Sequence, residues 1–261
     1  MPREFVKRAF LKNGVFIWPN FISSEKAENL RDLVLDLANF EAALGEEYIY
    51  PFDTSGRTQR VWNLTNKSRD FRALLELDDL IEMMNFIFDR PTRHQLFFLS
   101  SFQANIIHPG AQRQKLHIDT PFPEPIPPWP SKANSIWMLD DFTLRNGATE
   151  FLPGSHTLTK KPNQGADQEI ALDVAVGSRG SVVFTHGNLW HRAGANNSEL
   201  PRVALLCSFA ASYMKEIASE EDQSLILSSD TKRDLSEKLK LILGIGHGIK
   251  EGALVEHNGR N

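Results

Sequence analysis

His117, Asp119 and His191 are the residues of this sequence best suited to chemistry. They form an H-x-D pair and a second histidine 72 positions beyond Asp119, with Arg202 eleven residues further on. Two imidazoles and one carboxylate on one face of a metal leave the opposite positions open. That set suits non-haem iron(II), which must bind an oxidant and a co-substrate together. Arginine is a permanently charged fork for a carboxylate, and Arg202 stands one strand beyond the last candidate ligand. An H-x-D pair alone is a weak signal in a chain with eight histidines. On a strand, however, residues i and i+2 share a face, so His117 and Asp119 can meet one ion while Ile118 turns away. The interval to His191 matches neither zinc fingers nor the helical H-E-x-x-H pattern.

The elements that must position these residues change character along the chain. Apolar Ala27, Leu30, Val34 and Leu37 recur at helical spacing from Ser23 to about Leu44, with Ser23 or Ser24 as N-cap. A second amphipathic helix is expected from about Arg69 to Phe88, with Leu74, Leu77, Leu80, Ile81 and Met84 inward and Asp89-Arg90-Pro91 closing it. Between them, Tyr48 to Asn66 reads as a long ordered loop. Short β-prone segments follow near Leu96–Ile107, Arg113–Thr120, Asn134–Leu139, Ala148–Leu152, Ile170–Val176, Ser181–Thr185 and Arg202–Ala210, with Asn146-Gly147 and Pro153-Gly154 as turns. Many short strands with Gly/Pro turns predict a mainly β protein with α additions, a double-sheet jelly roll covered by the front helices. Thr120 to Lys132 carries six prolines and is expected as a loop leaving the metal-ligand strand. A last helix near Ser229–Leu243 precedes a glycine-rich tail, and this end offers a dimer contact or a lid. The expected organisation is one domain: a helical front over about 1–94, a β-helix core over about 95–212, and a C-terminal helix and tail over about 213–261.

Composition narrows the function classes. The 41% hydrophobic and 24% charged shares are ordinary for a globular chain. A net charge of -4 without a basic cluster argues against a nucleic-acid or anionic-membrane partner. The single cysteine, Cys207, lies in an apolar run and reads as a small core residue in a reducing compartment. Charges break every apolar run at the N-terminus, so no signal peptide or membrane span is expected and the location reads as cytoplasmic.

The stretches Gln114–Asp119, Asn146–His156, and Gly180–Phe184 followed by His191–Asn196 and Arg202 resemble the phytanoyl-CoA dioxygenase-like family of iron(II)/2-oxoglutarate oxygenases. The resemblance covers roughly residues 95–212 and implies a double-stranded β-helix core. It implies iron(II) held by His117, Asp119 and His191, with 2-oxoglutarate and O2 as co-substrates and succinate and CO2 as products. Arg202 and Thr149 would take the distal carboxylate of 2-oxoglutarate. Gln114 would lie near its other end and Trp137 beside it. On residue type alone Thr149 is a β-former and Trp137 a core residue. His156 would have a turn or supporting role, and His94, His108, His186 and His247 would be structural. The implied reaction is hydroxylation, desaturation or rearrangement at a C–H bond of a small metabolite in biosynthesis. The Phe122–Trp129 loop and Tyr48–Arg60 would be pocket walls, Trp62, Phe52 and Trp190 aromatic surface, and Arg57 or Arg60 an anchor for an acidic group. Two other classes stay open on the residues alone. A cupin-like isomerase or hydrolase would have no need of Arg202 and Thr149, and a non-catalytic jelly-roll binding protein would have no turnover.

Overall fold

The computed structural model describes residues 4–50, 53–89, 96–163, 170–214 and 227–245. The chain opens with helix α1 (Glu4–Asn13), strand β1 (Val15–Trp18) and helix α2 (Ser24–Ala43). The Ser23 hydroxyl accepts from Lys26 N–H at 3.1 Å, which caps α2, and Ala27, Leu30, Val34 and Ala38 form its buried stripe. Strands β2 (Tyr48–Ile49) and β3 (Thr58–Val61) precede helices α3 (Leu64–Lys67), α4 (Arg69–Leu75) and α5 (Asp78–Ile87). Then come β4 (Phe97–Ile107), β5 (Lys132–Met138), β6 (Thr149–Phe151), a 3-10 turn (Ser155–Thr157), β7 (Asp173–Val174), β8 (Val182–His186), β9 (His191–Ala193) and β10 (Arg202–Ala211). Helices α6 (Ser229–Arg233) and α7 (Glu237–Ile242) complete the described elements.

The strands form an antiparallel seven-stranded sheet, ordered β1-β8-β5-β10-β4-β3-β2, and a three-stranded sheet, β7-β6-β9. Strand alternation gives the large sheet two chemically different faces. Phe102, Trp137, Phe184, Val203, Leu205, Cys207 and Phe209 face the helices and pack with Leu30, Val34, Phe71, Leu74 and Met84. Ile136, Met138, Val183 and Ala204 face the other way, into a smaller core with Phe142, Ala148, Phe151 and Leu189 from the small-sheet side. Each large side chain removed from water contributes about 1.5–3 kcal/mol, so the helical layer is a principal brace of the sheet. Cys207 is fully buried there, and desolvation pushes its thiol up to about 12.

Several expectations are corrected. Arg69–Phe88 is two helices, because Leu77 is extended (φ -63°, ψ 126°) and Asp78 and Asp79 open a new first turn. Negative charge at a helix N-terminus favours that restart. The Tyr48–Asn66 stretch holds β2, β3 and α3 rather than a loop; all four β3 residues are buried, so no alternation marks it. Arg113–Thr120 is irregular apart from a single bridge, His117 to His191. The final helix is likewise two, each with its own serine N-cap, Ser228 and Ser236. The Ile170–Val176 strand shrinks to Asp173–Val174, and β1, β9 and α1 were not expected. Pro51, Phe52, Arg90, Pro91, His94, His247 and the glycine-rich tail beyond Ile245 lie outside the described residues. No described helix is long and apolar enough to cross a membrane.

Candidate active site

His191 opens β9, and Phe151 of β6 pairs with it on one side. On the other side His117 exchanges both backbone hydrogen bonds with His191, each at 3.0 Å. That one bridge fixes the register of the irregular stretch as a full strand would. Two residues on, the N–H groups of Asp119 and Thr120 both donate to Gly187 C=O, at 2.9 and 3.1 Å. The side chains of His117, Asp119 and His191 therefore converge. His117 Nε2 lies 3.9 Å from Asp119 Oδ1 and His191 Nε2 lies 3.4 Å from Asp119 Oδ2. The three ligating atoms all fall within 4.8 Å of one another. A cation about 2.0–2.2 Å from each is compatible with that triangle.

Local chemistry prepares the donors. His117 Nδ1 sits 2.8 Å from Lys115 C=O and His191 Nδ1 2.9 Å from Leu189 C=O. A carbonyl only accepts, so each Nδ1 carries the proton and each Nε2 offers a lone pair inward. Burial, and then the neighbouring His191, holds His117 below the ordinary histidine value, which keeps it neutral at pH 7. Burial raises the Asp119 pKa, but His191, His117 and the Asn134 hydrogen bond outweigh it and hold the carboxyl ionised below the usual range.

The trio opens on a cavity of about 170 Å³ that is also lined by Gln114, Thr149 and Arg202. Arg202 begins β10 and is only 2% exposed. Its Nη2 donates to Gly147 C=O at 2.6 Å and its guanidinium lies 4.4 Å from the Phe142 ring centroid. Nε meets no acceptor among the described residues. Burial pulls this arginine down to about 9, against a partial restoring effect of Asp140. A cation so placed calls for an anion, and a dicarboxylate entering the cavity would supply one. Thr149 starts β6 opposite Ala193, and Gln114 accepts the Ala193 N–H at 3.1 Å.

Trp137 is the correction. It sits on β5 with the opposite parity to Asn134 and Ile136, which line the cavity. Its ring is fully buried on the helical face, 5.3 Å from Phe21, and Nε1 donates to Ser135 Oγ at 3.0 Å. The Pro-rich loop also contributes no lining residue; Asn188 Nδ2 fastens it at Pro127 C=O, 2.8 Å away. Trp190 and Arg57 are likewise outside the lining, whereas Trp62, Tyr50 and Arg60 belong to it. Arg60 donates to Gln103 Oε1 at 2.9 Å, stacks on Tyr50, and its charge is felt at both His117 and Arg202. His156 lies in the 3-10 turn with Nε2 3.2 Å from Leu11 C=O, and His108 meets Gln59 at 3.2 Å. Ser101, Gln103, Asn105, Asn134 and Ser208 complete a polar wall that sequence reasoning missed. Alternation within β4 and β10 was a usable signal, but only once the inner face was known.

A two-sheet β core with two imidazoles and a carboxylate at one mouth and a buried guanidinium inside defines a metal-dependent, anion-binding class of protein. A family model described as phytanoyl-CoA dioxygenase (PhyH) matches residues 10–204, and the chain belongs to that family. It is a non-haem iron, 2-oxoglutarate-dependent oxygenase. Among curated relatives, dioxygenase af480 of Aspergillus fumigatus is 27% identical over 236 residues, 88% of this chain and 72% of the relative. Dioxygenase andF of Emericella variicolor is 25% identical, over 93% of this chain and 85% of the relative. Among solved structures, the non-heme alpha ketoglutarate dependent carbocyclase SnoK from nogalamycin biosynthesis superposes with a TM-score of 0.64 at 17% identity. That match covers 79% of this chain and 83% of the other. The epimerase SnoN, solved with Fe3+, alpha ketoglutarate and nogalamycin RO, gives 0.63 at 16% identity, covering 79% and 82%. At such identities these two likenesses establish the fold.

Proposed function

We propose that His117, Asp119 and His191 hold iron(II), and that Arg202 with Thr149 grips the distal carboxylate of 2-oxoglutarate in a C–H oxidation of a small molecule. The carrying observation is one cavity that joins three convergent donors to a buried guanidinium whose Nε meets no acceptor among the described residues. Iron bound there would couple decarboxylation of 2-oxoglutarate, to succinate and CO2, with oxidation of a substrate C–H bond by O2.

The chain's own groups do the rest. Both histidines turn Nε2 inward with Nδ1 bonded to a backbone carbonyl, and Asp119 supplies the negative charge that offsets part of the dication. Asp119 also occupies the position a halide would need, which favours hydroxylation, desaturation or rearrangement over halogenation. Arg202 provides a buried fork in the cavity lining, and Arg60 and Gln114 add a cation and an amide to the same lining. Asn105 Oδ1 meets no donor among the described residues, so a water or a substrate hydroxyl would satisfy it. The rings of Tyr50 and Trp62 add apolar surface to the same lining, as do Ile136 and Leu206, which are paired on the large sheet beside Asn134 and Ser208. A partly apolar small metabolite carrying hydrogen-bonding oxygens suits this lining. Arg202 and Thr149 facing the metal donors have no role in a cupin-like isomerase or hydrolase, which leaves that alternative without support from the cavity.

The test is anaerobic reconstitution with iron(II) and 2-oxoglutarate, watching for a weak visible charge-transfer band, followed by succinate measurement in air. The band and slow succinate release are expected, and Asp119→Ala should lose both. A wild-type chain showing neither would end the proposal.

A further inference from the structure

We propose that Asn134 is the positioning residue for Asp119, an inference that rests on Asp119 being a metal ligand. Its Nδ2 donates to Asp119 Oδ2 at 2.6 Å. A carboxylate only accepts, so the amide must turn its NH2 toward it, and a hydrogen bond to an ionised acceptor is among the stronger kinds. The same Nδ2 lies 3.3 Å from Thr185 Oγ1, a fully buried hydroxyl on β8. Asn134 sits inside the large sheet, paired with Thr185 on one side and Ser208 on the other. Its backbone is therefore fixed on both flanks.

Asp119 has no such frame of its own. It lies on the irregular stretch, tied through its backbone to Gly187 C=O. His117 and His191 are bound to each other and to the small sheet, while the amide of Asn134 reaches across from the large one. The Asn134–Asp119 bond thus joins the two halves of the jelly roll at the metal site. It also commits one carboxylate oxygen, which favours attachment of the cation through the other alone. A carboxylate bound through both oxygens would use a coordination position that the co-substrates need. Partners that orient metal ligands in this way typically contribute 10–100-fold in metal affinity.

The experiment is anaerobic titration of metal-free protein with iron(II) alone, alongside thermal unfolding of the same samples. Asn134→Ala removes the donor; Asn134→Leu removes it while keeping the volume, and carries the test if the alanine variant folds poorly. Both variants should bind iron(II) about 10–100-fold more weakly, with metal-free melting close to that of the wild type. Folded variants whose affinity stays within about twofold of wild type would overturn the role of Asn134, leaving the ligand assignment standing. A wild-type chain without iron(II) affinity would instead remove the ligand assignment, and this inference with it.

Discussion

Arg202 shows how a single side chain can be out of balance until its ligand arrives. It is buried, its hydrogen bond among the described residues goes to a neutral carbonyl, and its pKa is pulled down to about 9. Replacing such a group with an apolar side chain of similar length is often neutral or stabilising, whereas losing a buried charge partner costs about 2–5 kcal/mol of binding. Arg202→Met should therefore leave metal-free melting unchanged or slightly raised, while 2-oxoglutarate affinity falls at least about 30-fold, the equivalent of 2 kcal/mol. Calorimetric titration with 2-oxoglutarate checks this, and an unchanged affinity would remove Arg202 from the site. At this scale the sequence was most legible where function needs a fixed short spacing, as in His117 and Asp119. It was least legible at Asn134, which reaches the cavity only because β5 is paired in a particular register.

Among the elements, the turn after β8 positions more than its length suggests. Gly187 accepts from Asp119 and Thr120 while its own N–H donates to Lys132 C=O at 2.8 Å. A Cβ there would lie 2.6 Å from Lys132 O and 2.9 Å from Thr120 Oγ1, and the first of these is backbone. Relief requires the Asp119 segment or β5 to shift. Gly187→Ala should lower stability by about 1–3 kcal/mol and weaken iron(II) binding as well, read by melting and by metal titration. Unperturbed values in both would show that the turn has slack. The sequence placed β4, β5, β8 and β10 nearly where they are, since each is a run of β-formers between turn residues. It failed at β3, where Thr58, Gln59 and Arg60 give no apolar pattern although all are buried. It also took residues 113–120 for a strand, yet the same-face consequence survived because one bridge to His191 sets the register.

For the molecule as a whole, one apolar cluster runs from Val6 of α1 through the large sheet to Leu243. We propose on that ground that front helices, β core and C-terminal helices act as a single oxygenase domain. The two-sheet plan was legible from strand spacing and turns; the way helix segments divide was not, because the restart at Asp78 turns on an extended Leu77 and that at Ser236 on a local serine cap. Buried histidines give the fold a pH signature. His186, its ring 5.2 Å from that of His156, is held down to about 3 by burial and then by His156. An unfolded histidine takes up a proton near pH 6.5. Since the folded value is depressed, the contribution is complete above that pH and is lost progressively as pH falls toward 3. The limiting slope is about 1.4 kcal/mol per pH unit. Melting temperature should drop between pH 6.5 and 5, and His186→Gln should flatten the drop; an equal slope in both would exonerate this ring. Cys207, finally, makes the chain its own unfolding clock. With a lone sulfhydryl sealed against the helices and protonated far above neutrality, an alkylating reagent finds nothing to attack until the central strand itself comes away. Labelling kinetics would then time rupture of the barrel's heart, blind to fraying at its rim.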